Sequence, residues 1–137
     1  VISHSLGRDS VNTWGTVKTK TDKRDSTVVM IKMIDLLVRK DGYSHKEFAE
    51  RWQNDHAELA KDLPGLRKYT TSVPGNPDAV DYDGVLELYF DDMAALNEAF
   101  ESEVGQEVQA DAAEFIDMEA GPTLIVEETV QLDEIHD

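Results

Sequence analysis

The chain has 137 residues, with 13 lysines and arginines against 29 aspartates and glutamates, giving a net charge of −16. This length predicts one domain, and the absence of cysteine excludes disulfides, cysteine-ligated iron–sulfur clusters and thiol nucleophiles. We expect neither a transmembrane helix nor a secretory signal, because no apolar run is long enough for either, and we expect a cytoplasmic location.

Composition divides the chain into an N-terminal extension or arm at residues 1–29, a folded domain at 30–132 and an acidic tail at 133–137. The extension is rich in threonine and serine, and its β-type composition around Trp14 favours an added strand or an arm across a partner subunit. Irregular coil held by contacts is the alternative.

The first half of the folded domain predicts a strand, a helix and a second strand. Residues 28–38 are apolar at both alternating positions, so both faces of this strand should be covered. The S-H-K-E motif at residues 44–47 is a capping box that begins a helix over 45–62. Proline and glycine at 64–65 end that helix, and residues 66–73 follow as a strand.

The second half predicts two more strands and two helical pieces. A loop rich in turn residues precedes the strand at 85–90, where apolar residues alternate. An aspartate at position 91 or 92 can cap the next helix, and a shorter helical piece follows near 103–113. The last strand is expected at 123–132.

The predicted order β-α-β-β-α-β is the ferredoxin-like pattern of the α+β class, an antiparallel sheet with helices on one face. The other face of the sheet would be open in a monomer. Because the first strand is apolar on both faces, we expect a homodimer in which two sheets pack face to face as a dimeric α+β barrel.

One imidazole interrupts an apolar stripe on the first helix. The stripe has steps of four, four, three and four residues, which place its members on one helix face: Phe48, Trp52, His56, Leu59 and Leu63. His56 is therefore either a core histidine bonded to a carbonyl or carboxylate, or a proton-transfer group that works near neutral pH.

Two motifs, F-x-x-x-W-x-x-x-H-A-x-L at 48–59 and L-P-G-L-x-x-Y at 63–69, extend this pattern, and a related stretch follows at 104–126. Together they resemble the signature of EthD-like proteins, a branch of the dimeric α+β barrel superfamily. The resemblance implies the barrel dimer and a histidine at position 56. It also implies a link to oxidative degradation pathways and an oxidoreductase label, although no redox motif occurs in the sequence.

A ligand pocket is predicted around a catalytic His56, lined by aromatic and acidic side chains: Phe48, Trp52, Asp35, Tyr69 and Tyr89. Asp35 lies mid-strand among apolar residues, where burial would raise its pKa and suit it to acid or base work. The alternative is a carboxylate that reaches the sheet edge or the dimer interface and pairs there with Arg67 or Lys68. The two tyrosines either supply phenols inside the barrel or simply belong to the core.

Several classes of site are not predicted. The sequence lacks nucleotide-binding glycine motifs and a serine nucleophile elbow, and its four histidines do not have metal-ligand spacing. Asp81-Tyr-Asp83-Gly84 lacks the remaining ligands of a calcium loop. We therefore expect no cofactor and no metal.

The charge is concentrated in residues 30–137, which carry a net −18, whereas residues 1–29 carry +2. Such a surface repels nucleic acids and anionic membranes, so neither is expected as a partner. Concentrated salt would screen the self-repulsion, which favours a halophilic origin over a merely acidic mesophilic protein.

Two functions remain open at this point. The first is a small cofactor-independent enzyme or enzyme accessory, of oxidoreductase or lyase/isomerase type, acting on an apolar or aromatic small molecule with His56 as proton shuttle. The second is a non-catalytic homodimeric protein that binds such a molecule.

Overall fold

The computed structural model describes residues 30–135, so the expectations for residues 1–29 lie outside the described residues. It contains one four-stranded antiparallel sheet with the strand order β2-β3-β1-β4. The strands are β1 (Ile31–Leu37), β2 (Lys68–Ser72), β3 (Gly84–Phe90) and β4 (Thr123–Glu127). The predicted ferredoxin-like α+β fold is confirmed.

The last strand, β4, is shorter than predicted. β4 pairs only with β1, and its last partnered residue, Glu127, lies opposite Ile31, the first residue of β1. The strand therefore ends five residues before the predicted residue 132.

The helical segments are α1 (His45–Arg51), a π-helical turn (Trp52–His56), α2 (Ala57–Ala60), α3 (Met93–Glu101) and α4 (Glu103–Ala112). The predicted capping box is present at the start of α1. Ser44 Oγ accepts from the Glu47 amide at 3.1 Å, and Glu47 Oε1 accepts from the Ser44 amide at 3.0 Å. These two bonds satisfy amide groups that the helix cannot pair.

The π-helical turn corrects the expectation of one continuous α-helix. A π turn bonds residues five apart and thus carries one residue more than an α turn. Ala57, five positions after Trp52, is buried beside His56. Ala60 takes the inward position and is buried, whereas Leu59 is only half-buried.

The two sides of the sheet differ in their surroundings. The side covered by the helices, here called the helix side, receives alternate β1 residues, all of them buried: Ile31, Met33, Asp35 and Leu37. The opposite side, here called the outer side, carries Lys32, Ile34 and Leu36. The core and the cavity described below lie between the helix side and the helices.

Trp52 and Gly84 meet where the π turn packs on the sheet. A Cβ atom placed on Gly84 would lie only 2.5 Å from Cζ3 of the indole. The indole is 1% exposed and has no room to retreat without displacing its neighbours. Glycine therefore begins β3, because any side chain there would push the tryptophan out of the core.

Candidate functional site

A cavity of about 50 Å³ lies between the helices and the helix side of the sheet. Its walls are mainly apolar, and Trp52 forms part of them. Among the described residues that line it, none is a lysine or arginine, and the polar members are Asp35, His56, Tyr69 and Gln109. Three of the predicted pocket residues therefore meet His56 at one cavity.

His56 is brought to the cavity by the π turn and is oriented by a carboxylate from α4. Its Nδ1 lies 2.7 Å from Oδ2 of Asp111, its ring is edge-on to Phe115 at 5.2 Å, and the residue is 5% exposed. A carboxylate at Nδ1 accepts a hydrogen bond, which assigns the proton of the neutral ring to Nδ1. Nε2 then carries the lone pair.

Arg51 fixes the other oxygen of the same carboxylate. Its Nη2 lies 2.6 Å from Asp111 Oδ1, and its Nη1 donates to the Tyr43 hydroxyl at 3.2 Å. The guanidinium carbon also lies 4.8 Å from the centre of the Phe115 ring. Arg51 and His56 are five residues apart, and the π turn between them suits this interval because it bonds residues i and i+5.

The charges of the pair follow from burial and hydrogen bonding. Burial lowers the pKa of His56 and outweighs the opposing effect of Asp111, so the imidazole is neutral near pH 7. Burial alone would raise the pKa of Asp111, but hydrogen bonds from His56 and Arg51 dominate and hold it below its ordinary value. The site thus combines a neutral imidazole with an ionised carboxylate.

Asp35 lies on the sheet wall of the cavity and is 8% exposed. Burial raises its pKa to about 6, against a bond from Thr123 Oγ1 at 2.9 Å that lowers it. Within the single chain Asp35 does not form the alternative ion pair with Arg67 or Lys68. Arg67 pairs with Asp91 at 2.7 Å, and Lys68 lies over the Tyr89 ring on the outer side.

Tyr69 contributes a hydroxyl to the same cavity from β2. This oxygen is buried and has no hydrogen-bond partner among residues 30–135. Burial raises the pKa of Tyr69 to about 12. The phenol is therefore a neutral hydrogen-bond donor at any physiological pH.

Two predicted pocket residues do not line this cavity. Phe48 lies one turn before Trp52 and packs against its ring, with centroids 5.7 Å apart. Tyr89 is on the outer side of the sheet, opposite Lys32, and its hydroxyl donates to Glu128 at 2.8 Å. Alternation along β3 explains this placement, since the neighbouring Leu88 faces the helices.

The sequence did not reveal the partners of His56 and Asp35. Asp111 is 55 residues from His56, and Thr123 is 88 residues from Asp35. Asp111 does fall in the second stretch that resembles the EthD pattern, and that was the one signal available. No spacing rule connects a helix residue with a carboxylate on a later helix.

A second pocket of about 30 Å³ adjoins the cavity beside Asp35 and Met118. It extends to the exposed residues Asp117 and Gly121. The two pockets share four lining residues: Asp35, Leu37, Ile116 and Met118. The second pocket, here called the mouth, therefore lies between the cavity and these exposed residues.

Within residues 30–135, no three histidine or acidic side chains converge as metal ligands would. None of the described helices has both the length and the apolar character needed to cross a membrane.

Residues 40–119 match the model of the EthD domain. The fold is similar to that of an ethyl tert-butyl ether D (EthD) family protein from Bacillus halodurans, with 28% identity and a TM-score of 0.62. That similarity covers 73% of this chain and 99% of the other. No match is found among the sequences of curated proteins.

Two more distant structures share the fold. A dimeric protein of unknown function with a ferredoxin-like fold, from Bacteroides fragilis, is 19% identical, with coverages of 72% and 96% and a TM-score of 0.58. SnoaB from Streptomyces nogalater, a cofactor-independent oxygenase, is 11% identical, with coverages of 79% and 99% and a TM-score of 0.56. At these identities the likeness concerns the fold.

Proposed function

The chain belongs to the EthD domain family, and from this premise we propose that it is a small enzyme that transfers protons on an apolar organic molecule. The His56–Asp111 pair is the acid–base group. The observation that carries the proposal is the 2.7 Å contact between Nδ1 and the carboxylate, made by a ring that also lines the cavity.

This geometry suits general-base catalysis. With the proton on Nδ1, the Nε2 lone pair is free to take a proton from a ligand in the cavity. The ionised Asp111 stabilises the imidazolium that forms. Arg51 lowers the pKa of Asp111, and this keeps the carboxylate from taking the proton itself. The lowered pKa of His56 keeps the ring in its basic form near neutral pH.

The size of the cavity limits what reacts there. A cavity of about 150 Å³ holds benzene, whereas this one encloses about 50 Å³. The reacting end of the substrate is therefore only a few atoms across, and any larger apolar or aromatic part extends through the mouth or displaces side chains such as Met118. SnoaB has a related fold and is itself a cofactor-independent oxygenase, which supports an enzymatic use of the fold. We also propose that this enzyme acts in an oxidative degradation pathway.

The second candidate is a non-catalytic homodimeric protein that binds the same kind of molecule. It is favoured by the fact that His56 also has the features of a satisfied core histidine, because it is buried, bonded to a carboxylate and packed on Phe115. The proposed dimer would use the outer side of the sheet, and the Bacteroides neighbour is dimeric.

Solvent exchange separates the two candidates. The protein is incubated in heavy water with a panel of small carbon acids, namely ketones, nitriles and nitroalkanes, and deuterium uptake is followed by NMR. We expect exchange with the wild type and its loss in His56→Gln. His45→Gln is the matched control, because His45 lies outside the cavity and pairs with Asp83. Equal ligand binding by the wild type and His56→Gln, with no exchange in either, would establish the binding protein instead.

A further inference from the structure

The Tyr69 hydroxyl is a buried donor in the cavity wall without an acceptor among the described residues. Almost all buried polar groups in proteins are paired, so an unpaired one calls for an explanation. A phenol at this position also costs stability, because folding removes its hydroxyl from bulk water and supplies no acceptor among the described residues. An acceptor that arrives with a ligand would remove that cost.

The strand register separates the polar groups of the sheet wall. Tyr69 lies opposite Leu88, which lies opposite Met33, whereas Asp35 is two residues further along β1. Two strand spacings and a two-residue offset put the Cα atoms of Tyr69 and Asp35 roughly 12 Å apart. The two side chains therefore rise from different ends of this wall, and His56 approaches from the helices.

We propose that the Tyr69 hydroxyl binds the carbonyl oxygen of a small neutral ketone, and that such a ketone is the substrate class of the site. The inference rests on the proposed function, since it names the molecule from which His56 takes a proton. Asp35, at the mouth end, excludes acids from the same cavity.

The chemistry of the lining selects this class. An unpaired phenol requires an acceptor, and a carbonyl oxygen is an acceptor that brings no donor needing a partner of its own. A carboxylate ligand would meet Asp35 and no lysine or arginine among the described lining residues, so its charge would be buried without compensation. The enclosed volume of about 50 Å³ suits a carbonyl with its adjacent carbons.

The proton transfer is balanced without a further reactant. His56 Nε2 takes a proton from the carbon next to the carbonyl, so the C–H bond breaks and an N–H bond forms. The released electron pair becomes the C=C bond of an enolate, and the C=O π pair moves to oxygen. Tyr69 donates a hydrogen bond to that oxygen as its negative charge grows, as donors in oxyanion sites do. Return of the proton or uptake of a deuteron completes the cycle.

Cyclopentanone and methylenecyclopentane form a matched pair of probes, because they differ in shape only by C=O against C=CH₂. In both, the C=O or C=CH₂ end with its adjacent carbons would occupy the cavity, and the far ring carbons would extend toward the mouth. Their binding to the wild type and to Tyr69→Phe is measured by NMR titration. We expect Tyr69→Phe to weaken cyclopentanone binding about five- to tenfold, the effect of one hydrogen bond, and to leave methylenecyclopentane binding unchanged. Cyclopentanecarboxylate should not bind the wild type.

The infrared carbonyl band of bound cyclopentanone gives a readout that does not depend on a variant. In the wild type it should lie below the band of the ketone in cyclohexane, because a donor lengthens the C=O bond. A band at the cyclohexane position, equal weakening of both probes by Tyr69→Phe, or no cyclopentanone binding at millimolar concentration would overturn the inference.

His56→Gln distinguishes this inference from the proposed function. This variant should bind cyclopentanone through Tyr69 but should not exchange its α-protons in heavy water. Tyr69-dependent binding without exchange in the wild type would leave the ketone site standing and refute the proton transfer. Exchange that depends on His56 but not on Tyr69 would support the proton transfer and refute the ketone site at Tyr69.

Discussion

Nδ1 of His56 lies 2.7 Å from Oδ2 of Asp111, although the two residues are 55 positions apart in the chain. The contact joins the π turn to α4 and orients a ring that lines the cavity. Asp111 is also bound by Arg51, so the carboxylate is held from two directions and His56 has one preferred orientation.

Asp111→Asn should lower the pKa of His56 further. Burial already lowers this pKa, and Asp111 opposes that effect through its charge and its hydrogen bond. Replacing the carboxylate by an uncharged amide removes most of this opposition, so the pKa of His56 should fall. Titration of the His56 ring protons by NMR checks the direction, with Asp55→Asn on the exposed face of the helix as control. A pKa that rises in Asp111→Asn would contradict the assignment of roles in this pair.

Asp35→Asn should stabilise the protein at neutral and alkaline pH. The folded-state pKa of about 6 exceeds the ordinary aspartate value of 3.8, so ionised Asp35 costs stability, and this cost is absent below the unfolded pKa. The difference between these two pKa values corresponds to about 3 kcal/mol in the free energy of unfolding. Urea unfolding of both proteins near pH 8 and near pH 4 measures the difference.

We expect the wild type and Asp35→Asn to differ most near pH 8. The stability advantage of Asp35→Asn appears as the pH rises from the unfolded-state pKa of Asp35 through its folded-state pKa. Near pH 4 the carboxyl is largely neutral in the folded state, and the two stabilities should converge. A variant that is less stable than the wild type near pH 8 would show that Asp35 is not held in an unfavourable environment.

His56→Ala and Trp52→Ala should separate function from packing. Trp52 is 1% exposed and covers Gly84, so its truncation should cost about 3–5 kcal/mol of stability. His56 borders a cavity that already exists, and we expect His56→Ala to stay folded while losing binding or turnover. Circular dichroism melts and the deuterium-exchange assay measure both properties. Equal destabilisation of the two variants, with ligand binding intact in His56→Ala, would leave only a structural role for His56.

Stability should increase with salt concentration. Residues 30–137 carry a net charge of −18, and at molar ionic strength the screening length falls to about 3 Å, which removes most repulsion between surface carboxylates. Melting temperatures should therefore rise from low to multimolar KCl. A melting temperature that stays constant or falls would remove the argument for a halophilic origin.

The protein should form a homodimer through the outer side of the sheet. Register places five apolar side chains there: Ile34, Leu36, Val85, Leu124 and Val126. Leu124 remains 47% exposed in the single chain, and a patch of this kind usually marks an interface. Light scattering at micromolar concentration in molar salt should give the mass of a dimer.

Leu124→Asp should convert this dimer to a folded monomer, because a carboxylate cannot be buried unpaired at the interface. Val80→Asp is the matched control, since Val80 is 51% exposed and lies outside the sheet. A monomeric wild type, or a dimer that survives Leu124→Asp, would refute this interface.

The sequence by itself determined the features that depend on neighbouring residues. Alternation and helical spacing predicted the β-α-β-β-α-β order, the capping box at Ser44 and the inward direction of His56, because each of these patterns is complete within a few residues. The two motifs around His56 likewise indicated the EthD family, whose domain model matches residues 40–119.

Tertiary structure decided which side chains meet. The packing of α4 beside the π turn brings Asp111 to His56, and the pairing of β1 with β4 brings Thr123 to Asp35. The same register sends Tyr69 to the cavity and Tyr89 to the outer side. Such contacts depend on how distant elements pack and on strand register, in which a shift of one residue exchanges the two faces. No local pattern in the chain specifies them.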